Sequence, residues 1–131
     1  MAVDQAIREQ IAADLSQAEV TAVAIDRPTD AHPDLDVVDA YEIALINIRK
    51  RLDAGAKVAG HKVGLASEAM QKMMNVDEPD YGHLLDEMQY FESTPIDRSK
   101  LCYPRVEVEV GFILGACLLY TSDAADDSLR V

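Results

Sequence analysis

The chain has 131 residues, 49% of them hydrophobic, and a formal net charge of −12. That length fits a single domain, and so acidic a balance argues against non-specific binding to nucleic acid or an anionic membrane, both of which need basic patches. The longest apolar stretch, residues 112–120, is far too short to span a bilayer, and no basic-then-apolar leader opens the chain. Two cysteines, Cys102 and Cys117, make neither a disulfide framework nor a zinc set, so a cytoplasmic protein with free thiols is expected.

Taken in order, Asp4 is placed to cap a first helix in which Ile7, Ile11 and Leu15 recur on one side. Residues 26–33 are dense in turn formers and read as a loop, with His32 in it. Asp36 caps a second helix with an apolar stripe of Tyr41, Leu45, Ile48 and Leu52, and Gly55 stands at its C′ position. Arg49, Lys50 and Arg51 suit the negative end of that helix and read as a solvated terminus. The period then changes. Residues 57–64 form a strand interrupted by Gly60 and Gly64, a sign of bending or close backbone approach. Ser67 caps a short helix whose Met70, Met73 and Met74 read as core filler. Residues 77–83 read as an acidic loop, and Tyr90, Phe91 and Ile96 mark further short strands.

The stretch Pro104-Arg105-Val106-Glu107-Val108-Glu109-Val110 alternates with a period of two and predicts a strand. Glu107 and Glu109 share one face, and the apolar run through Phe112-Ile113-Leu114 carries the strand toward a core. Adjacent carboxylates repel unless a cation lies between them, and a hard divalent ion such as Mg²⁺ or Mn²⁺ meets that need. Spacing alone leaves open a plain strand with a solvated polar face.

Residues 117–127, Cys-Leu-Leu-Tyr-Thr-Ser-Asp-Ala-Ala-Asp-Asp, read as a translated transposon-based sequencing adaptor. On this reading 1–116 is the N-terminal part of one domain and 117–131 a non-native tail, and Cys117 has no chemical role. A chain so cut would lack sheet partners for its late strand and is expected to be poorly stable and inactive alone.

Lys62 lies between two glycines in an open place where partial burial would lower its pKa toward the proton-transfer range. Asp80 is a carboxylate able to serve as general acid or base, although a turn-forming aspartate would look the same. His61 and His83 lack ligand spacing and read as structural. Four motifs in register, Gly60-His61-Lys62-Val63-Gly64-Leu65, Ala69-Met70-Gln71, Pro79-Asp80-Tyr81-Gly82-His83-Leu84 and Pro104 to Glu109, resemble the 2-keto-4-pentenoate hydratase family. That family lies within the fumarylacetoacetate hydrolase-like superfamily. The likeness covers residues 1–116, and the Asp80 motif leans toward hydratases.

The resemblance implies an α/β fold, with N-terminal helices followed by the start of a mixed, mainly β core. It implies a metal-dependent hydro-lyase of aromatic meta-cleavage catabolism that adds water to 2-hydroxypenta-2,4-dienoate, giving 4-hydroxy-2-oxopentanoate. Glu107 and Glu109 would match the family's Mg²⁺ or Mn²⁺ ligands, with a third acidic ligand farther along the chain. Lys62 and Asp80 would match its proton-transfer residues. A homo-oligomer, associating with a decarboxylase or aldolase of the same pathway, is implied for the full-length protein. Two alternatives stay open: the sibling 4-oxalocrotonate decarboxylase, and a non-catalytic partner subunit.

Overall fold

The computed structural model describes residues 3–114. Two long helices form its apolar centre. Helix α1 (Gln5–Thr21) begins where the Asp4 carboxylate accepts from the Ala6 N–H and ends on Ala22 in the left-handed region, φ 54°. Helix α3 (Val37–Asp53) begins with a capping box in which Asp36 and Asp39 each accept the other's backbone N–H. It closes on Gly55, whose φ of +110° is one that side chains rarely adopt. Both caps and the closing glycine are as expected from sequence.

The helices meet through Ile11, Ala12 and Ile43, with Ile7, Leu35 and Ile46 around them. Ala12 is fully buried, and its small side chain lets α3 come close enough for Asn47 Nδ2 to donate to the Ala12 carbonyl at 2.8 Å. The buried face of α3 therefore runs through Asp39 and Ile43. Of the expected stripe, Tyr41, Leu45 and Ile48 are half-buried and Leu52 is exposed, a rotation set by where α1 lies. Within residues 26–33, Pro28–Ala31 forms one helical turn, α2, with proline at its start, where the missing N–H costs nothing.

Arg51 corrects the reading of the α3 terminus as merely solvated. Its guanidinium donates to Glu19 of α1 at 3.1 Å and to Glu87 at 2.5 Å. Burial works against the charge, but the two carboxylates outweigh it and raise the pKa above its ordinary value. Glu87 lies in a 3₁₀ turn, Asp86–Met88, directly after the sheet, so Arg51 ties α1, α3 and the sheet end together.

Strand β1 (Val58–Gly64) pairs antiparallel with β2 (Asp80–Leu85), with a register irregularity between Val58 and Gly60. The assignment of 77–83 to a loop is thus corrected: its second half is strand, because β1 supplies a ladder partner that the local Pro-Asp-Gly signal cannot reveal. Helix α4 (Glu68–Met74) connects the strands, capped by Ser67 as expected, and Gln71 Nε2 donates to the Leu65 carbonyl at 2.8 Å. The sheet meets α3 where the Tyr81 ring stacks on Tyr41 with centroids 4.8 Å apart, and Leu85 at the end of β2 is fully buried.

Three further expectations are corrected. Met70, Met73 and Met74 are all exposed, because α4 has no layer packed over it among the described residues. Tyr90, Phe91 and Ile96 lie outside strands and are exposed. Residues 104–114 form no strand and join no ladder, and Val108 is 99% exposed. A strand's backbone groups need a neighbour, and the described sheet has only two strands. No described helix is long and apolar enough to cross a membrane.

Candidate active site

The candidate site is built on one face of the β1–β2 pair. Directly opposed residues of an antiparallel ladder share a face, and positions two apart do as well. Lys62 opposes Gly82 and Asp80 opposes Gly64, so Lys62 and Asp80 are diagonal neighbours on one face, each facing a glycine. The space around Gly82 is open, whereas a Cβ on Gly64 would overlap the Asp80 carboxylate. The close approach expected of the two glycines occurs at Gly64 alone, and it is made by a side chain, not by backbone. Gly64→Ala is accordingly expected to turn the Asp80 carboxylate away. The carboxyl ¹³C shift of Asp80 should change in that variant and stay constant in Gly60→Ala, where nothing lies within 4 Å of an added Cβ.

Residues 104–110 cross over this face. Lys62 Nζ donates to Glu107 Oε2 at 2.7 Å and to Glu109 Oε1 at 3.1 Å. The period-two spacing does aim both carboxylates one way, even without ladder pairing. All three side chains are well exposed, so the cluster orders charge more than it stabilises the fold.

The electrostatics reverse one expectation. Hydrogen bonds to Glu107 and then Glu109 hold the Lys62 pKa above its ordinary value, against a slight opposing effect of burial. The same Lys62 hydrogen bond, and then its charge, holds Glu107 below the usual carboxylate range. Lys62 in this arrangement is a firmly protonated ammonium, not an amine lowered by burial, because the acids that meet it lie far away in sequence.

The donor set bears on a metal. Two carboxylates that reach one ammonium from adjacent sides can reach one cation, and all-oxygen ligation suits a hard divalent ion. No group of three or more His, Cys, Asp or Glu side chains gathers for a metal among the described residues. Glu107 and Glu109 would thus be part of a ligand set. Asp80, Lys62, Glu107 and Glu109 were all legible as candidates in the sequence. The Lys62–carboxylate contact was not, since nothing local couples positions 45 and 47 residues apart.

No family model matches the chain. It is 43% identical over 108 residues to a 2-keto-4-pentenoate hydratase of Paraburkholderia xenovorans (strain LB400), covering 82% of this chain and 40% of that protein. It is 40% identical over 113 residues to a 2-hydroxypent-2,4-dienoate hydratase of Pseudomonas putida, covering 85% and 50%. The chain thus spans half or less of the length of these curated relatives. Its fold matches the 4-oxalocrotonate decarboxylase from Pseudomonas putida G7 complexed with calcium and acetate, with a TM-score of 0.63 and 29% identity. That match covers 66% of this chain and 33% of the decarboxylase. The same decarboxylase complexed with magnesium and adipate matches with a TM-score of 0.60 and 32% identity. The α/β expectation, with helices leading into a fumarylacetoacetate hydrolase-like core, agrees with this likeness.

Proposed function

We propose, from the premise that this chain belongs to the 2-keto-4-pentenoate hydratase family, that the whole protein is a divalent-metal-dependent hydro-lyase. Its substrate is 2-hydroxypenta-2,4-dienoate and its product 4-hydroxy-2-oxopentanoate. The observation that carries the reading is the meeting of Glu107 and Glu109 over the sheet face that bears Lys62 and Asp80.

Glu107 and Glu109 would hold Mg²⁺ or Mn²⁺, which supplies a Lewis acid for the 2-oxo acid end of the substrate. Lys62, an ammonium, delivers a proton to the terminal carbon as the dienol becomes a ketone, and takes back the proton that the enol oxygen releases. The remaining double bond is then conjugated with the ketone and open to water. Asp80, on the same face, takes the proton from that water as its oxygen bonds to carbon and returns it to the carbon beside the ketone. Gly82 leaves the space opposite Lys62 open, so a flat dienoate can approach.

The decarboxylase reading is supported by likeness in fold and in sequence to 4-oxalocrotonate decarboxylases. Supplying the whole protein with each substrate separates the two. Hydration should erase the dienoate's ultraviolet absorbance without gas release. Release of CO₂ from 2-oxo-3-hexenedioate, with no turnover of the pentadienoate, would assign the decarboxylase activity instead.

A further inference from the structure

His61 and His83, 22 positions apart in sequence, are direct cross-strand partners in the β1–β2 ladder. Their ring centroids are 4.8 Å apart with the rings inclined by 60°. Alternation along each strand puts them on the face opposite Lys62 and Asp80. His61 is exposed and His83 half-buried, so an ion with its own waters can reach both rings.

A transition-metal ion binds imidazole nitrogen at about 2.0–2.1 Å, which places two nitrogens sharing one ion about 3 Å apart. Rings with centroids 4.8 Å apart reach that spacing by side-chain rotation, with the backbone already fixed by the ladder. Imidazole favours Zn²⁺ and its neighbours in the first transition row, whereas Mg²⁺ prefers carboxylate and water. The pair therefore selects a different ion from the carboxylates on the other face.

We propose that His61 and His83 form a bidentate site for Zn²⁺, completed by water, that clips β1 to β2 behind the face carrying Lys62 and Asp80. Among the described residues no third His, Cys, Asp or Glu joins the pair, so water fills the remaining positions. Neither histidine takes part in the proposed hydration, and the site stands or falls independently of that reading.

The test is a Zn²⁺ titration of the 131-residue chain carrying Cys102→Ser and Cys117→Ser, in excess Mg²⁺, followed by NMR of the histidine rings. The Hε1 signals of His61 and His83 should move together with 1:1 stoichiometry while that of His32 stays still. Either His61→Gln or His83→Gln should weaken binding by about tenfold or more, because the second ligand of a chelate acts at high effective concentration. A shift of only one ring, unchanged affinity in His83→Gln, or no binding below about 1 mM Zn²⁺ would overturn the proposal. Should a glutamine variant lose the β1–β2 contacts, the joint movement of the two rings in the histidine-bearing chain decides.

Discussion

Replacing Glu107 and Glu109 together by glutamine is expected to lower the turnover of the whole protein by about 10³-fold or more, since the proposed cation would lose two charged ligands. Chelation should do the same, and Mg²⁺ or Mn²⁺ should restore only the unsubstituted enzyme. A second readout needs no turnover. The two carboxylates hold the Lys62 pKa up, so neutralising them removes that support and must lower it. A ¹³Cε titration of Lys62 should show its midpoint moving to lower pH in the double variant. If the full rate survived both the substitutions and exhaustive chelation, the lyase reading would have no cation chemistry to rest on.

The largest effect on stability is expected at Asp39, far from this chemistry. Its carboxylate is fully buried and accepts from Arg8 Nε at 2.8 Å, from Arg8 Nη2 at 2.6 Å and from the Asp36 N–H at 3.2 Å. The Val3 N–H adds a fourth bond at 3.4 Å. Asp39→Ala would strand a largely buried guanidinium and break the capping box of α3. A fall in Tm of roughly 10 °C or more follows from breaking such a pair in a chain this size. Arg8→Met with Asp39→Leu should recover part of that loss, because the burial cost of both charges disappears with them.

The pH dependence has a definite sign. Burial alone would raise the Asp39 pKa, but the Arg8 hydrogen bond, the two backbone donors and the Arg8 charge outweigh it and leave it lowered. A carboxyl depressed on folding stabilises fully above its unfolded value and loses that contribution as pH falls through the folded one. Acid unfolding should therefore draw on Asp39 below its ordinary value of 3.8, and Asp39→Ala should lack that component. Identical acid-unfolding curves for the two proteins would show that the pair contributes nothing to acid stability.

Much of the local structure was legible because its causes are local. Asp4, Asp36 and Ser67 cap helices through side-chain bonds to N–H groups two or three residues on. Gly55 closes α3 for a reason internal to its own backbone, its positive φ. The alternation of Glu107 and Glu109 put two acids on one side whatever lay beside them. Placement against the rest of the molecule was not legible in the same way. Asp39 carried no signal of its own in the sequence, and only the approach of α1 brought Arg8 to it.

Met70, Met73 and Met74 have the composition of a core, yet burial depends on a second layer, which the described residues do not place over α4. Residues 77–83 carried a turn signal that ladder pairing with β1 overrode from Asp80 onward. By itself, then, the sequence determined the caps, the two long helices and the glycine-lined strand, and it singled out four candidate side chains. The tertiary structure alone decided that Lys62 is held protonated, that Arg51 joins three elements and that two histidines read as structural face each other across a sheet. The division is physical: backbone capping and side-chain period act within a few residues, whereas ion pairs and strand register join positions that only chain folding brings together.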